Sequence, residues 1–161
     1  EGFKVAALGG VEGYTGSIAP LIEPGPSWGA VLSAQATPVL GIEVLYSGAN
    51  NDVSSRALPE AKVVRNGAGV NLKVALPTAV EPYVYGGVGI SRANVSGVTD
   101  ETGYGDDTFG TVPVGGGVNF HAGAFNAGVR GGVDFPFDND YLPENTNFTI
   151  WNGRLELGAV F

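Results

Sequence analysis

The chain has 161 residues, including 27 Gly and 10 Pro but no Cys and no Met, and a formal net charge of −8. That length allows one domain, 1–161. The acidic balance excludes a nucleic-acid binder, because no basic patch is present to neutralise phosphates, and the lack of Cys excludes disulfides and thiolate metal sites.

Helix signals are nearly missing, since Gly or Pro interrupts almost every ten-residue window. No run of 18 apolar residues occurs, so no transmembrane helix is expected. That leaves strands open as crossing elements, because about 9–11 residues suffice for each. The chain is 43% apolar, and the order of its alternation argues against disorder. Without Met it reads as a mature form from which a signal peptide has been removed.

In chain order, eight segments alternate with period two: 2–14, 27–36, 39–48, 61–76, 82–94, 109–121, 125–135 and 148–161. Four connections are long and rich in turn residues: 15–26, 49–60, 95–108 and 136–147. They alternate with three short ones, around Thr37-Pro38, from Pro77 to Glu81 and from Ala122 to Ala124. All long connections therefore fall at one end of the strands.

Each segment can be split by parity. In 39–47 Leu40, Ile42, Val44 and Tyr46 oppose Gly41 and Glu43. In 64–76 Val64, Val70, Leu72, Val74 and Leu76 oppose Arg65, Gly67, Gly69, Asn71 and Lys73. In 125–135 Phe125, Ala127, Val129, Gly131, Val133 and Phe135 oppose Asn126, Gly128, Arg130, Gly132 and Asp134. In the last segment Trp151, Gly153, Leu155, Leu157, Ala159 and Phe161 oppose Asn152, Arg154, Glu156, Gly158 and Val160.

A soluble barrel would turn the apolar face inward. Two features favour the opposite orientation. Aromatics cluster at the ends of apolar faces (Phe3, Trp28, Tyr46, Phe120, Phe125, Phe135, Trp151 and Phe161), as membrane-interface girdles do. The other face mixes charge with Gly, as a narrow lumen crowded with long side chains requires. The expected fold is an all-β, antiparallel, up-and-down eight-stranded transmembrane β-barrel. Such closure leaves no unpaired edge in lipid.

The closing stretch Leu155-Glu156-Leu157-Gly158-Ala159-Val160-Phe161 resembles the terminal strand of outer-membrane barrels, which ends in an aromatic residue with apolar residues at alternate positions before it. The whole pattern of strands and loops resembles the small OmpA/OmpX-type barrels, without an appended peptidoglycan-binding domain. The resemblance implies a bacterial outer-membrane protein with both termini and the short turns in the periplasm. It also implies that the barrel-assembly machinery reads Leu155, Leu157, Ala159 and Phe161, and that outer-membrane lipids or lipopolysaccharide surround the barrel.

By parity, Lys4, Glu12, Glu43, Arg65, Lys73, Arg130, Asp134, Arg154 and Glu156 point into the lumen. Charge in so narrow a space should pair, because an unpaired buried charge is very costly. The leading pairs are Arg130 with Glu156, Arg154 with Asp134 or Glu12, and Glu43 with Lys73. The expected result is a salt-bridged plug; a narrow ion path is the alternative.

Other acids lie in the long connections: Glu23, Asp52, Asp100, Glu101, Asp106, Asp107, Asp138, Asp140 and Glu144. Asp138-Asn139-Asp140 with Glu144 offers oxygen ligands to a hard cation, but the calcium-loop spacing is absent, so no metal or cofactor is expected. His121, the single histidine, has no flanking Ser and does not make a catalytic pair. Gly86-Gly87-Val88-Gly89 lies within a strand and is not a nucleotide loop. Asn94-Val95-Ser96 and Asn147-Phe148-Thr149 match the glycosylation acceptor pattern, a chance match in a bacterial protein.

The functional expectation is a structural, anchoring or surface-binding protein without enzymatic activity. Its external loops would contact lipopolysaccharide, a host surface or an envelope protein partner. A small pore is the alternative, and a lipid-modifying enzyme ranks below it.

Overall fold

Alternation of apolar and polar residues sets the strands, and turn chemistry sets where they reverse. A computed structural model describes residues 2–16, 22–52, 62–96, 107–137 and 148–161. Eight strands follow in order: β1 (Phe3–Gly16), β2 (Gly25–Gln35), β3 (Leu40–Asp52), β4 (Lys62–Ala75), β5 (Val80–Ser96), β6 (Asp107–Ala122), β7 (Phe125–Phe137) and β8 (Phe148–Val160). Each pairs antiparallel with the next, and β8 returns to β1, so the sheet closes into a barrel. At the seam Phe3 and Phe161 exchange backbone hydrogen bonds of 3.2 and 2.8 Å.

The short turns are built by their sequences. The Thr37 hydroxyl accepts from the Leu40 amide at 2.9 Å, closing the β2–β3 reversal. Between β6 and β7 the chain turns on Gly123 and Ala124, with Gly123 at φ +64°. A positive φ at the first central residue is what a type II′ hairpin needs, and Gly supplies it without steric cost. Register is constant along β5–β6, but the ladder skips Gly87 and Val88, opposite Pro113 and Val112, where Pro113 has no N–H to donate.

Several strands run further toward the long-loop end than hydrophobicity suggests. β3 continues through Ser47-Gly48-Ala49-Asn50-Asn51 to Asp52, which faces Lys62. From Ala49 on these residues read as a loop by composition, yet backbone pairing continues while a partner strand lies alongside.

The usual distribution of polarity is inverted. Leu32, Ile42, Val44, Val70, Leu72, Val84, Val88, Ile90, Val129, Leu155 and Leu157 are exposed on the outer surface. Lys4, Glu12, Glu43, Arg65, Lys73, Arg130, Arg154 and Glu156 are buried inside. In water this arrangement would expose a continuous apolar belt and bury the charges; hydrocarbon outside removes the first cost. Phe3, Phe120, Phe125 and Phe161 ring the short-turn end, while Trp28, Tyr46, Phe135 and Phe137 ring the other, all exposed. Trp151, half-buried, joins the second ring by lying across Gly13 of β1, its partner in register.

Candidate functional site

The lumen holds the chemistry-bearing residues, arranged in three tiers. Nearest the long loops, Glu12 of β1 is fully buried and receives Arg65 of β4, with Nε at 2.7 Å and Nη2 at 2.5 Å. Arg154 of β8 adds a donor to the same carboxylate at 3.1 Å. Ser91 and Ser47 accept from Arg65 at 2.9 and 3.1 Å, and Ser27 accepts from Arg154 at 2.6 Å. Above this tier Tyr14, Phe109 and Ile150 form a buried apolar cluster, with Ile22, Ala93 and Phe148 packed on it.

In the middle tier Arg130 of β7 donates to Glu43 of β3 at 2.7 Å, and Asn71 donates to the same carboxylate at 3.0 Å. The Arg130 guanidinium lies 4.3 Å from the ring centroid of Tyr85 and 3.8 Å from Glu156. Glu156 pairs with Lys4 and accepts from the Tyr83 hydroxyl at 3.3 Å. Inward glycines make room for the two tyrosines: a Cβ on Gly117 would lie 2.6 Å from the Tyr83 hydroxyl, and one on Gly115 would lie 2.6 Å from that of Tyr85.

The lowest tier, at the short-turn end, centres on Glu81. Lys73 donates to it at 3.2 Å, Asn119 at 3.4 Å, and His121 Nε2 lies 3.2 Å from its other oxygen. Lys73 also sits 4.1 Å above the Tyr83 ring.

Of the nine charges assigned to the lumen by parity, eight are buried there. Asp134 is half-buried and lines a small internal void of about 20 Å³ with Arg65, Asn71, Asn152 and Arg154. Their partners differ in part from those expected. Glu43 meets Arg130 rather than Lys73, and Lys73 meets Glu81. Arg154 takes Glu12, the pair across the seam, and not Asp134. Arg130 and Glu156 do approach, but Arg154, not Glu156, faces Arg130 in register. Adjacent-stave reasoning omits the two contacts that cross the lumen, Glu12 with Arg65 and Glu43 with Arg130.

Glu81 is the residue that sequence reasoning missed. Pro77 to Glu81 reads as a turn, yet β5 begins at Val80 and Glu81 points inward. The signal was present: Val84, Val88 and Ile90 fix the outer face of β5, so Glu81, Tyr83 and Tyr85 share the inner one. With Glu81 included, Lys4, Arg65, Lys73, Arg130 and Arg154 face Glu12, Glu43, Glu81, Asp134 and Glu156, five cations against five anions.

Among the loop acids, Glu23 and Asp52 fall within the described residues, and Asp52 pairs with Lys62 at 3.8 Å in the open. Asp100, Glu101, Asp106, Asp138, Asp140 and Glu144 lie outside the described residues. No cluster of three potential metal ligands occurs among the described residues. His121 meets Glu81 and Asn126.

Closed topology, an apolar outer belt and a charge-balanced interior define a class: the small eight-stranded transmembrane β-barrel of outer-membrane type. Solved structures of that class match the chain nearly end to end. Neisserial surface protein A superposes with a TM-score of 0.74 at 15% identity, covering 99% of this chain and 97% of that one. Ail, the attachment invasion locus protein of Yersinia pestis, gives 0.64 at 12% identity over 100% and 99%. The outer membrane enzyme PagL gives 0.52 at 14% identity over 97% and 98%. At such identities the likeness is one of fold. No protein-family model and no curated protein sequence matches the chain.

Proposed function

We propose that the protein is a bacterial outer-membrane anchor with a closed lumen, acting as a structural or surface-binding component through its long loops. The observation that carries this reading is the lumen itself. Three tiers of paired charge span it, and an apolar cluster covers them at the long-loop end. Between the upper and middle tiers the void is about 20 Å³, the room of a single water. Such an interior specifies a rigid barrel and leaves binding at the outer end to the long loops.

The fold supports the outer-membrane location, and the acidic long connections face outward in that topology. There they would meet lipopolysaccharide or an envelope protein partner, with the barrel-assembly machinery engaged only during biogenesis. We assign no enzymatic role. PagL shows that this fold can carry catalysis, but the described hydrogen-bond partners of His121 are Glu81 and Asn126, neither of them a hydroxyl for it to activate.

Planar-bilayer recording tests the closed lumen. The wild type should conduct rarely and weakly, and Glu43→Ala with Arg130→Ala should raise the conductance. A wild type that conducts steadily would replace this reading with a pore. One feature favours that alternative: Arg130 Nε and the side-chain oxygens of Asn71 and Asn152 are buried without partners, where entering water would be held.

A further inference from the structure

The lumen is not filled evenly. At the short-turn end it opens into a cavity of about 290 Å³, lined by Lys4, Ser33, Gly41, Lys73, Glu81 and His121 among others. The void lies where β2 and β3 present Ser33 and Gly41, with Gln35 beside Gly41 at its rim, between the long side chains of β1 and β4; Glu43, the register partner of Ser33, is turned to Arg130. The order of staves then gives the site its polarity. Lys4 on β1 and Lys73 on β4 flank the void, with Ser33 of β2 and Gly41 of β3 between them. Of the carboxylates that pair with the lysines, Glu156 on β8 is not part of the lining, while Glu81 on β5 is, and is neutralised there by Lys73.

Each ammonium has three donors. Lys4 has one carboxylate partner, and Lys73 has one carboxylate and the face of Tyr83. Ser33 Oγ, directly across the ladder from Lys4, is buried without a hydrogen-bond partner. Two cations with spare donors and an orphan hydroxyl therefore border one cavity. The apolar cluster of Tyr14, Phe109 and Ile150 closes the opposite end, so the short-turn mouth is the way in.

We propose that this vestibule is a binding site for a small oxyanion of the phosphate class, held by Lys4, Lys73 and Ser33 and entering from the short-turn side. Phosphate offers several acceptors at the spacing that two ammonium groups and a hydroxyl can share. Such an oxyanion comes free in solution or on a phospholipid headgroup.

Inorganic phosphate is the probe, titrated into the full barrel refolded in a maltoside detergent, with sodium chloride at equal ionic strength as the reference. Resonances of Lys4, Ser33 and Lys73 should shift saturably with phosphate and not with chloride. Ser33→Val removes the hydroxyl and narrows the void without touching an ion pair. It should weaken binding on the order of tenfold while the protein keeps its heat-modifiable gel migration. Transfer into phosphatidylglycerol nanodiscs separates the two sources. Loss of the phosphate response there means that headgroups already fill the site, and its persistence means that the free anion is the ligand. Shifts with phosphate no larger than with chloride in detergent would overturn the proposal. So would unchanged binding in a folded Ser33→Val protein.

Discussion

Glu12 and Arg65 meet side by side in the lumen although β2 and β3 separate their strands, with guanidinium nitrogens 2.7 and 2.5 Å from the two carboxylate oxygens. Both side chains are at most 1% exposed. Because Arg154 shares the same carboxylate, Glu12 is the ion-pair partner of two arginines. Glu12→Gln should therefore cost on the order of 3–5 kcal/mol, since it leaves buried cations uncompensated. Urea unfolding in lipid vesicles reads this. The exposed pair of Asp52 and Lys62, 3.8 Å apart, supplies the contrast: Asp52→Asn should change stability by about 0–1 kcal/mol.

The outer belt responds to the opposite chemistry. Leu157 is 66% exposed and Val129 49%, both toward hydrocarbon. Leu157→Arg or Val129→Arg should each cost about 2–4 kcal/mol near the midplane. Asn126→Lys, inside the lumen at a level where other polar groups surround it, should cost less. Equal tolerance at all three positions would contradict the orientation of the strands.

Two tryptophans lie over glycines of the neighbouring strand, Trp28 over Gly48 and Trp151 over Gly13. A Cβ on either glycine would stand 2.5 Å from the indole, and the atoms in its way belong to the ring alone. Gly13→Ala should therefore push the Trp151 ring off the barrel wall. In a variant with Trp28→Phe, so that one indole remains, the change should appear as a shift in tryptophan emission. The stability cost should stay at about 1–3 kcal/mol, because a surface ring can rotate. An unmoved emission maximum would show that the ring does not rest on Gly13.

Phe161 ends the chain 80% exposed, its backbone paired to Phe3. If the assembly machinery reads Leu155, Leu157, Ala159 and Phe161, Phe161→Ser should lower the amount of barrel reaching the outer membrane in cells. Its effect on the unfolding of refolded protein should be much smaller. Comparable losses in both measurements would make the residue a structural contact only.

Much of this architecture is legible in the sequence because period two fixes the face of every residue on a strand once one residue is placed. Glu43 between Ile42 and Val44 can point only away from them, and the same holds for Arg130 and Glu156. Partner choice is a different matter. Glu43 on β3 and Arg130 on β7 meet across the barrel, which depends on stagger and side-chain length and not on neighbouring staves. Simple alternation also predicts polar residues at Tyr14, Phe109 and Ile150, yet these inward positions are apolar. They stand at the long-loop end, where the lumen is sealed by packing rather than by charge. The vestibule could not be read at all, because it is defined by what Ser33 and Gly41 leave empty.

The seam between β1 and β8 has a consequence in time. Lys4 faces Val160 there, so the barrel closes between residues 156 positions apart, and no earlier segment can substitute. Among the described residues two ion pairs cross this last junction, Lys4 with Glu156 and Glu12 with Arg154. Until it forms, an open sheet would present those groups and two unpaired backbone edges to hydrocarbon. A half-made molecule is thus barred from the bilayer interior by its own lumen. Insertion and closure must advance together, and a chain stopped before β8 should remain at the membrane surface however many strands it has already paired.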